Sequence, residues 1–134
     1  MNLYRGNLKE KEQLRISPLG HTWFLDFDGT LVEHNAYKTG EDKFLPGAKE
    51  FLLSIPKDDY ILITTAREKE AKEKTVKFLN DNGIRFNEIL FEMPMGERIL
   101  INDDKPSGLR CAYAITPNRN QGLEYLDVVI DENL

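Results

Sequence analysis

Apolar residues in this chain come in short unbroken runs, and several runs stop abruptly at a cluster of polar residues. Thr22-Trp23-Phe24-Leu25 ends at Asp26-Phe27-Asp28-Gly29-Thr30, and Tyr60-Ile61-Leu62-Ile63-Thr64 ends at Thr65-Ala66-Arg67. Arg98-Ile99-Leu100-Ile101 ends at Asn102-Asp103-Asp104-Lys105-Pro106. Runs of this length, bounded by turn formers, read as buried strands. Residues 86–91, 112–115 and 128–130 read as further strands.

Between the strands the period becomes helical. Pro46 suits a first helical turn, and Ala48, Phe51, Leu52 and Ile55 follow at helical spacing until Pro56 and Lys57-Asp58-Asp59. Residues 68–82 give the clearest helix, with Ala71, Thr75, Phe78 and Leu79 on one face. Its pairs Glu68–Lys72, Glu70–Lys74 and Glu73–Lys77 run acid before base, the favourable order, and Asn82-Gly83 is a stop. The spacing also predicts a short surface helix over 8–15, a loop or small flap over 31–45, and a helical piece over 121–125. Strands alternating with helices, several of the strands apolar throughout, predict an α/β fold with a parallel sheet covered on both faces.

At 134 residues, 40% hydrophobic and 31% charged, the chain has the composition of one folded domain around one core. Eighteen basic against twenty-three acidic residues give a net charge of −5, which disfavours a generic nucleic-acid binder. Cys111 is the single cysteine, so an intrachain disulfide is excluded. Residues 1–17 hold no apolar run like that of a signal peptide, and no stretch approaches a membrane span. A cytoplasmic protein without a membrane partner is expected.

In parallel sheets ligands bind beyond the carboxyl ends of the strands, which is where the polar clusters fall. Residues two apart on an extended chain point the same way, so Asp26 and Asp28 can face one site with Phe27 turned into the core. Two such carboxylates, joined by Asp103 or Asp104, would repel one another. A hard divalent cation resolves that, and an oxygen-only shell with waters points to Mg²⁺. A phosphate could then approach, held by the Thr65 hydroxyl and nearby backbone N–H groups. Each piece alone has a plainer reading: Asp-Gly is a common turn, and the lysines of 68–82 form a solvated face. An EF-hand is excluded because Thr30-Leu31-Val32 breaks its ligand pattern. Arg67 suits a salt bridge at the helix start or a substrate anion. His21 reads as a strand-edge residue, His34 as part of the flap and Cys111 as core.

The segment Trp23 to Leu31, a hydrophobic strand followed by DxDGT, resembles the first motif of the haloacid-dehalogenase superfamily. Ile61-Leu62-Ile63-Thr64-Thr65-Ala66-Arg67 is similar to its second motif, and Ile99-Leu100-Ile101-Asn102-Asp103-Asp104 to its fourth. The resemblance covers residues 22–104, the motif-bearing core of a single domain over 1–134, with 1–20 as an N-terminal extension. It implies a Rossmann-like three-layer sandwich and a Mg²⁺-dependent phosphatase working through an aspartyl-phosphate. Asp26 is then the nucleophile and Asp28 the general acid and base. Asp26, Asp28 and Asp103 or Asp104 hold the metal, and Thr65, Thr30 and Gly29 receive the phosphoryl group. The fourth motif departs in reading Asn102-Asp103-Asp104, which leaves the metal ligand open between the two aspartates. The third motif's lysine is missing, and Arg98, Lys105 or neither residue stands in for it.

The short spans between motifs leave no room for a cap domain. Small capless relatives act in sugar-phosphate and surface-polysaccharide pathways, which implies a small phosphorylated substrate. Without a cap, a neighbouring subunit closes the site or it stays open to a large substrate. The alternatives are a regulatory, non-catalytic domain binding a phosphorylated ligand, and a phosphatase acting on a macromolecule.

Overall fold

A computed structural model describes residues 9–134 of the chain. In order, the described residues form β1 (Glu12–Ile16), β2 (Thr22–Asp26), α1 (Ala36–Thr39), α2 (Ala48–Ser54) and β3 (Tyr60–Thr64). They continue with α3 (Lys72–Asp81), entered through a 3-10 turn at Lys69–Ala71, then β4 (Glu88–Leu90) and β5 (Leu126–Ile130). The fold is mixed α/β and every ladder is parallel.

The apolar runs at 22–25 and 60–64 become adjacent strands, with Trp23 opposite Ile61, Leu25 opposite Ile63 and Asp26 opposite Thr64. Because paired positions share a face, Trp23, Leu25, Ile61 and Ile63 form one apolar surface. Ala48, Leu52 and Ile55 from the α2 region and Leu79 of α3 cover it, with Ile63 and Leu79 fully buried. Trp23 meets Phe51 edge-on at 5.6 Å, and Phe44 packs on Phe78 at 4.8 Å. The helix pattern over 68–82 is realised as the 3-10 turn and α3, and Gly83 (φ 70) ends it as expected.

Other expectations need correction. The thin stripe of 8–15 is not a helix where it is described: Leu14 and Ile16 are buried at alternate positions of a strand, opposite Val128 and Ile130 of β5. Leu8 lies outside the described residues. The five strands fall into two sheets, β1–β5 and β2–β3–β4, where one central sheet was expected. The opposite face of β2–β3 is open, with Phe24 57% exposed, where cover on both faces was expected.

Residues 98–101 and 112–115 are not strands, and 121–125 is a series of turns. Ile99 and Ile101 are exposed, and the Arg98 guanidinium donates to the carbonyls of Pro94 and Gly96 at 3.0 and 2.8 Å. An apolar run supplies β propensity, but a ladder also needs a partner in register. No helix among the described residues is long and apolar enough to cross a membrane.

The sheet is tied at its amino end by Asp59, which is 4% exposed. Its carboxylate accepts hydrogen bonds from the His21 N–H (3.0 Å) and Trp23 Nε1 (2.9 Å), and lies 2.8 Å from His21 Nδ1. Burial alone would raise the Asp59 pKa, but the Trp23 and His21 donors outweigh it and hold the group below its ordinary value. A carboxyl with a depressed folded pKa stabilises the fold above the ordinary Asp range, and that contribution disappears as pH falls through the folded value. Urea midpoints measured against pH are therefore expected to drop below about pH 4. In Asp59→Asn the protein is weaker at neutral pH by about 1–3 kcal/mol, and this part of the acid dependence is absent.

Candidate active site

At the carboxyl end of β2 the chain turns tightly about Phe27, which is fully buried. The Phe27 N–H continues the ladder to the Thr64 carbonyl at 3.0 Å, and the N–H groups of Thr30, Leu31 and Val32 all turn back to the Phe27 carbonyl. Gly29 takes a positive φ of 85°, a conformation costly for any residue with a side chain. With Phe27 facing inward, Asp26 and Asp28 are left half-buried on the other side, as their spacing requires.

The Asp26 carboxylate accepts a hydrogen bond from the Thr30 hydroxyl at 3.0 Å on Oδ2, while Oδ1 lies 3.7 Å from the Arg98 guanidinium. Burial pushes its pKa up. The Thr30 hydrogen bond and Arg98 oppose this, and the neighbouring Asp28 charge adds to it. Asp28 is held differently, with both oxygens taken. Oδ2 accepts from the Thr65 hydroxyl at 2.7 Å, and Oδ1 accepts from Arg67 Nε at 3.0 Å and lies 2.9 Å from Nη2.

Arg67 is the centre of this arrangement, with its side chain 1% exposed. Its guanidinium forms a fork onto Asp42, Nη2 at 2.6 Å and Nη1 at 2.9 Å, and Nη1 also donates to the Thr75 hydroxyl at 2.8 Å. The plane lies against the Tyr37 ring at 3.8 Å and the Phe27 ring at 4.7 Å. Burial would lower the guanidinium pKa, yet the Asp42 and Asp28 carboxylates outweigh it and raise it. Of the two sequence readings for Arg67, the structure realises the salt bridge, with Asp28 and Asp42 as partners. Asp42 and Tyr37 come from the flap, where the sequence has no periodic signal to single them out.

Thr65 is 1% exposed, its hydroxyl donating to Asp28 and accepting the Arg67 N–H at 3.1 Å. To hold a phosphoryl oxygen, that hydroxyl must leave Asp28. Arg98 is brought beside Asp26, whereas Lys105 sits in an exposed turn whose N–H bonds the Leu109 carbonyl. Asp103 and Asp104 are exposed, and no group of three metal-ligating side chains comes together among the described residues. With both Asp28 side-chain oxygens engaged, the half-exposed Asp26 carboxylate is the anionic donor left at the end of β2. Mg²⁺ fits so sparse a set, because it keeps several waters and uses one or two carboxylates. The half-buried Asp26, whose carboxylate form is disfavoured by burial, would be favoured by such a cation.

His21 pairs with Asp59, and Cys111 is half-buried, its Sγ 3.5 Å from the Leu109 carbonyl. The His34 N–H donates to Asn120 Oδ1 at 2.9 Å, while its Nδ1 is buried with no partner among the described residues. Asn120 and its neighbour Arg119, which lies over Gly29, were not singled out by the sequence. Their arrival from near the carboxyl end of the chain leaves no local pattern to read. No family model, curated protein or solved structure matches the chain.

The side chains of Asp42 and Arg67 are each 1% exposed, so removing Asp42 takes away the forked partner of a buried guanidinium and leaves it Asp28 as its remaining carboxylate. Asp42→Ala is expected to lower unfolding stability by about 3–5 kcal/mol in urea titrations. A change within about 1 kcal/mol, the range of exposed ion pairs, would contradict this placement.

Proposed function

We propose that the chain is a phosphomonoesterase of the haloacid-dehalogenase type, with a Rossmann-like core and no cap, acting with Mg²⁺ on a small phosphate ester such as a sugar phosphate. The observation that carries this reading is the convergence at one pair of parallel strand ends. Asp26 and Asp28 leave β2 on the same side, Thr65 follows β3 directly, and Arg98 lies 3.7 Å from Asp26. An exposed carboxylate oxygen, a second carboxylate two residues on and an arginine are the groups a covalent phosphoryl transfer needs.

In this reading an Asp26 oxygen attacks phosphorus and the bond to the leaving oxygen breaks. Asp28, protonated on Oδ2 once the Thr65 hydroxyl turns from it to the phosphate, gives that proton to the leaving oxygen. In the second half Asp28 takes a proton from water, whose oxygen attacks phosphorus and releases phosphate and the free Asp26 carboxylate. Arg67 and Asp42 fix the direction in which Asp28 presents its oxygens. Arg98 offsets negative charge gathering beside Asp26. Asp26 and, as the resemblance implies, the Asp28 carbonyl would hold Mg²⁺, which would neutralise charge on the phosphate.

A second reading, a domain that binds a phosphorylated ligand without turnover, is favoured by one observation. The Thr65 hydroxyl is buried and committed to Asp28. Hydrolysis of an aryl phosphate with and without Mg²⁺ separates the two. Turnover is expected, with loss on chelation, a fall of roughly 10²–10⁴ in Asp28→Asn, and no remaining covalent route in Asp26→Asn. Absence of Mg²⁺-dependent turnover across a panel of phosphate esters leaves the binding reading.

A further inference from the structure

The turn after Pro117 crosses back over the nucleophile loop and is fastened there at several points. Asn120 adopts a left-handed conformation (φ 62) and donates its N–H to the Gly29 carbonyl at 2.9 Å. Its side-chain Oδ1 accepts the His34 N–H at 2.9 Å. Further on, the Leu123 N–H bonds the Pro46 carbonyl at 2.8 Å. Gly122 lies so close to Pro46 that a side chain there would overlap its carbonyl oxygen. Residues 120–123 are thus tied to the loop at Gly29, to the start of the flap and to the entry of α2.

Arg119 is carried on this turn. Its side chain passes over Gly29, where a Cβ would meet Arg119 Cγ at 3.2 Å and Nε at 3.6 Å. The missing side chain of Gly29 therefore serves a second purpose besides its positive φ: it leaves room for an arginine directly over the loop between Asp28 and Thr30. The other two arginines of the site are engaged, Arg67 by Asp28 and Asp42, and Arg98 by Asp26 and the carbonyls of Pro94 and Gly96. Arg119 makes no hydrogen bond or ion pair among the described residues, and it is exposed. Both nearby carboxylates already have cationic partners, so its donors remain available to an incoming anion. A planar guanidinium fork matches two oxygens of one phosphate, and such charge-assisted pairs are stronger than neutral ones.

We propose that Arg119 is a substrate-binding residue that grips the phosphate of the ligand from above the Asp28-Gly29-Thr30 turn. This rests on the reading that a phosphate ester occupies the site. The geometry makes phosphate recognition depend on two distant parts of the chain, the nucleophile loop and the turn at 118–123.

Calorimetric titration of inorganic phosphate in the presence of Mg²⁺ tests it on the full chain, beside kcat and KM for an aryl phosphate. Arg119→Ala is expected to weaken phosphate binding and raise KM by roughly tenfold to a hundredfold. Arg119→Lys restores part of the loss, because it keeps the charge without the fork. The exposed Lys57→Ala serves as a control for net charge and is expected to bind as the wild type does. Unchanged phosphate affinity in Arg119→Ala, or no phosphate affinity in the wild type, overturns the proposal. Turnover by the wild type with unaltered kinetics in Arg119→Ala sinks this proposal and leaves the hydrolase reading standing. Phosphate binding that needs Arg119 but comes without ester hydrolysis does the reverse.

Discussion

Arg67 carries its charge into a place water does not reach, and the strand ends are built around that fact. Taking a guanidinium out of water costs several kcal/mol unless good partners meet it, and here the partners come from three other parts of the chain. Asp28 follows β2, Asp42 belongs to the flap and Thr75 lies in α3, while Arg67 itself follows β3. The rings of Phe27 and Tyr37 close the two sides. One group thereby fixes the spacing between two strands, the position of a helix and the seat of the flap. Lys74 adds to the last, donating to the carbonyls of Gly40 and Tyr37 at 2.9 and 3.4 Å.

The consequence at the strand ends is that two neighbouring aspartates stand in unlike surroundings. Asp28 is locked by Thr65 and Arg67, whereas Asp26 is half-exposed, bonded by Thr30 and faced at longer range by Arg98. The same DxD pattern thus produces an oriented carboxylate and an accessible one. The alternation along the strand decides which side they share, but the difference between them comes from residues far away in sequence. Two carboxylates placed in unlike surroundings are a recurring basis for separate catalytic roles.

What the sequence made legible follows from how local the signals are. β2, β3 and α3 were readable because each carries its own period and its own stop: Trp23 and Leu25 on one face, Ile61 and Ile63 beside them, Leu79 on a helical stripe ending at Gly83. The candidate site was legible as far as it sits on the ends of β2 and β3, where Asp26, Asp28 and Thr65 come together, whereas Arg98 reaches Asp26 from a segment that forms no strand. Leu14 and Ile16 did alternate, but acidic and basic residues around them resembled a helical surface, and their partner strand is more than a hundred residues away. The run at 98–101 failed for the converse reason, since propensity without a registered neighbour makes no ladder. Asp103 and Asp104 lie exposed in that segment and form no metal-ligating group with the acidic pair among the described residues. Asp42 and Arg119 were unreadable because nothing in a loop's composition says which buried charge or which glycine it will meet.

The central claim is that the accessible carboxylate of Asp26 is the group that receives phosphate. Acid quenching during turnover of a phosphate ester, followed by peptide mapping in a mass spectrometer, reads that directly. A phosphoryl increment on Asp26, present only while substrate remains and absent from Asp26→Asn, is the predicted result. Turnover with no increment on Asp26, or with the increment on another residue, would contradict it.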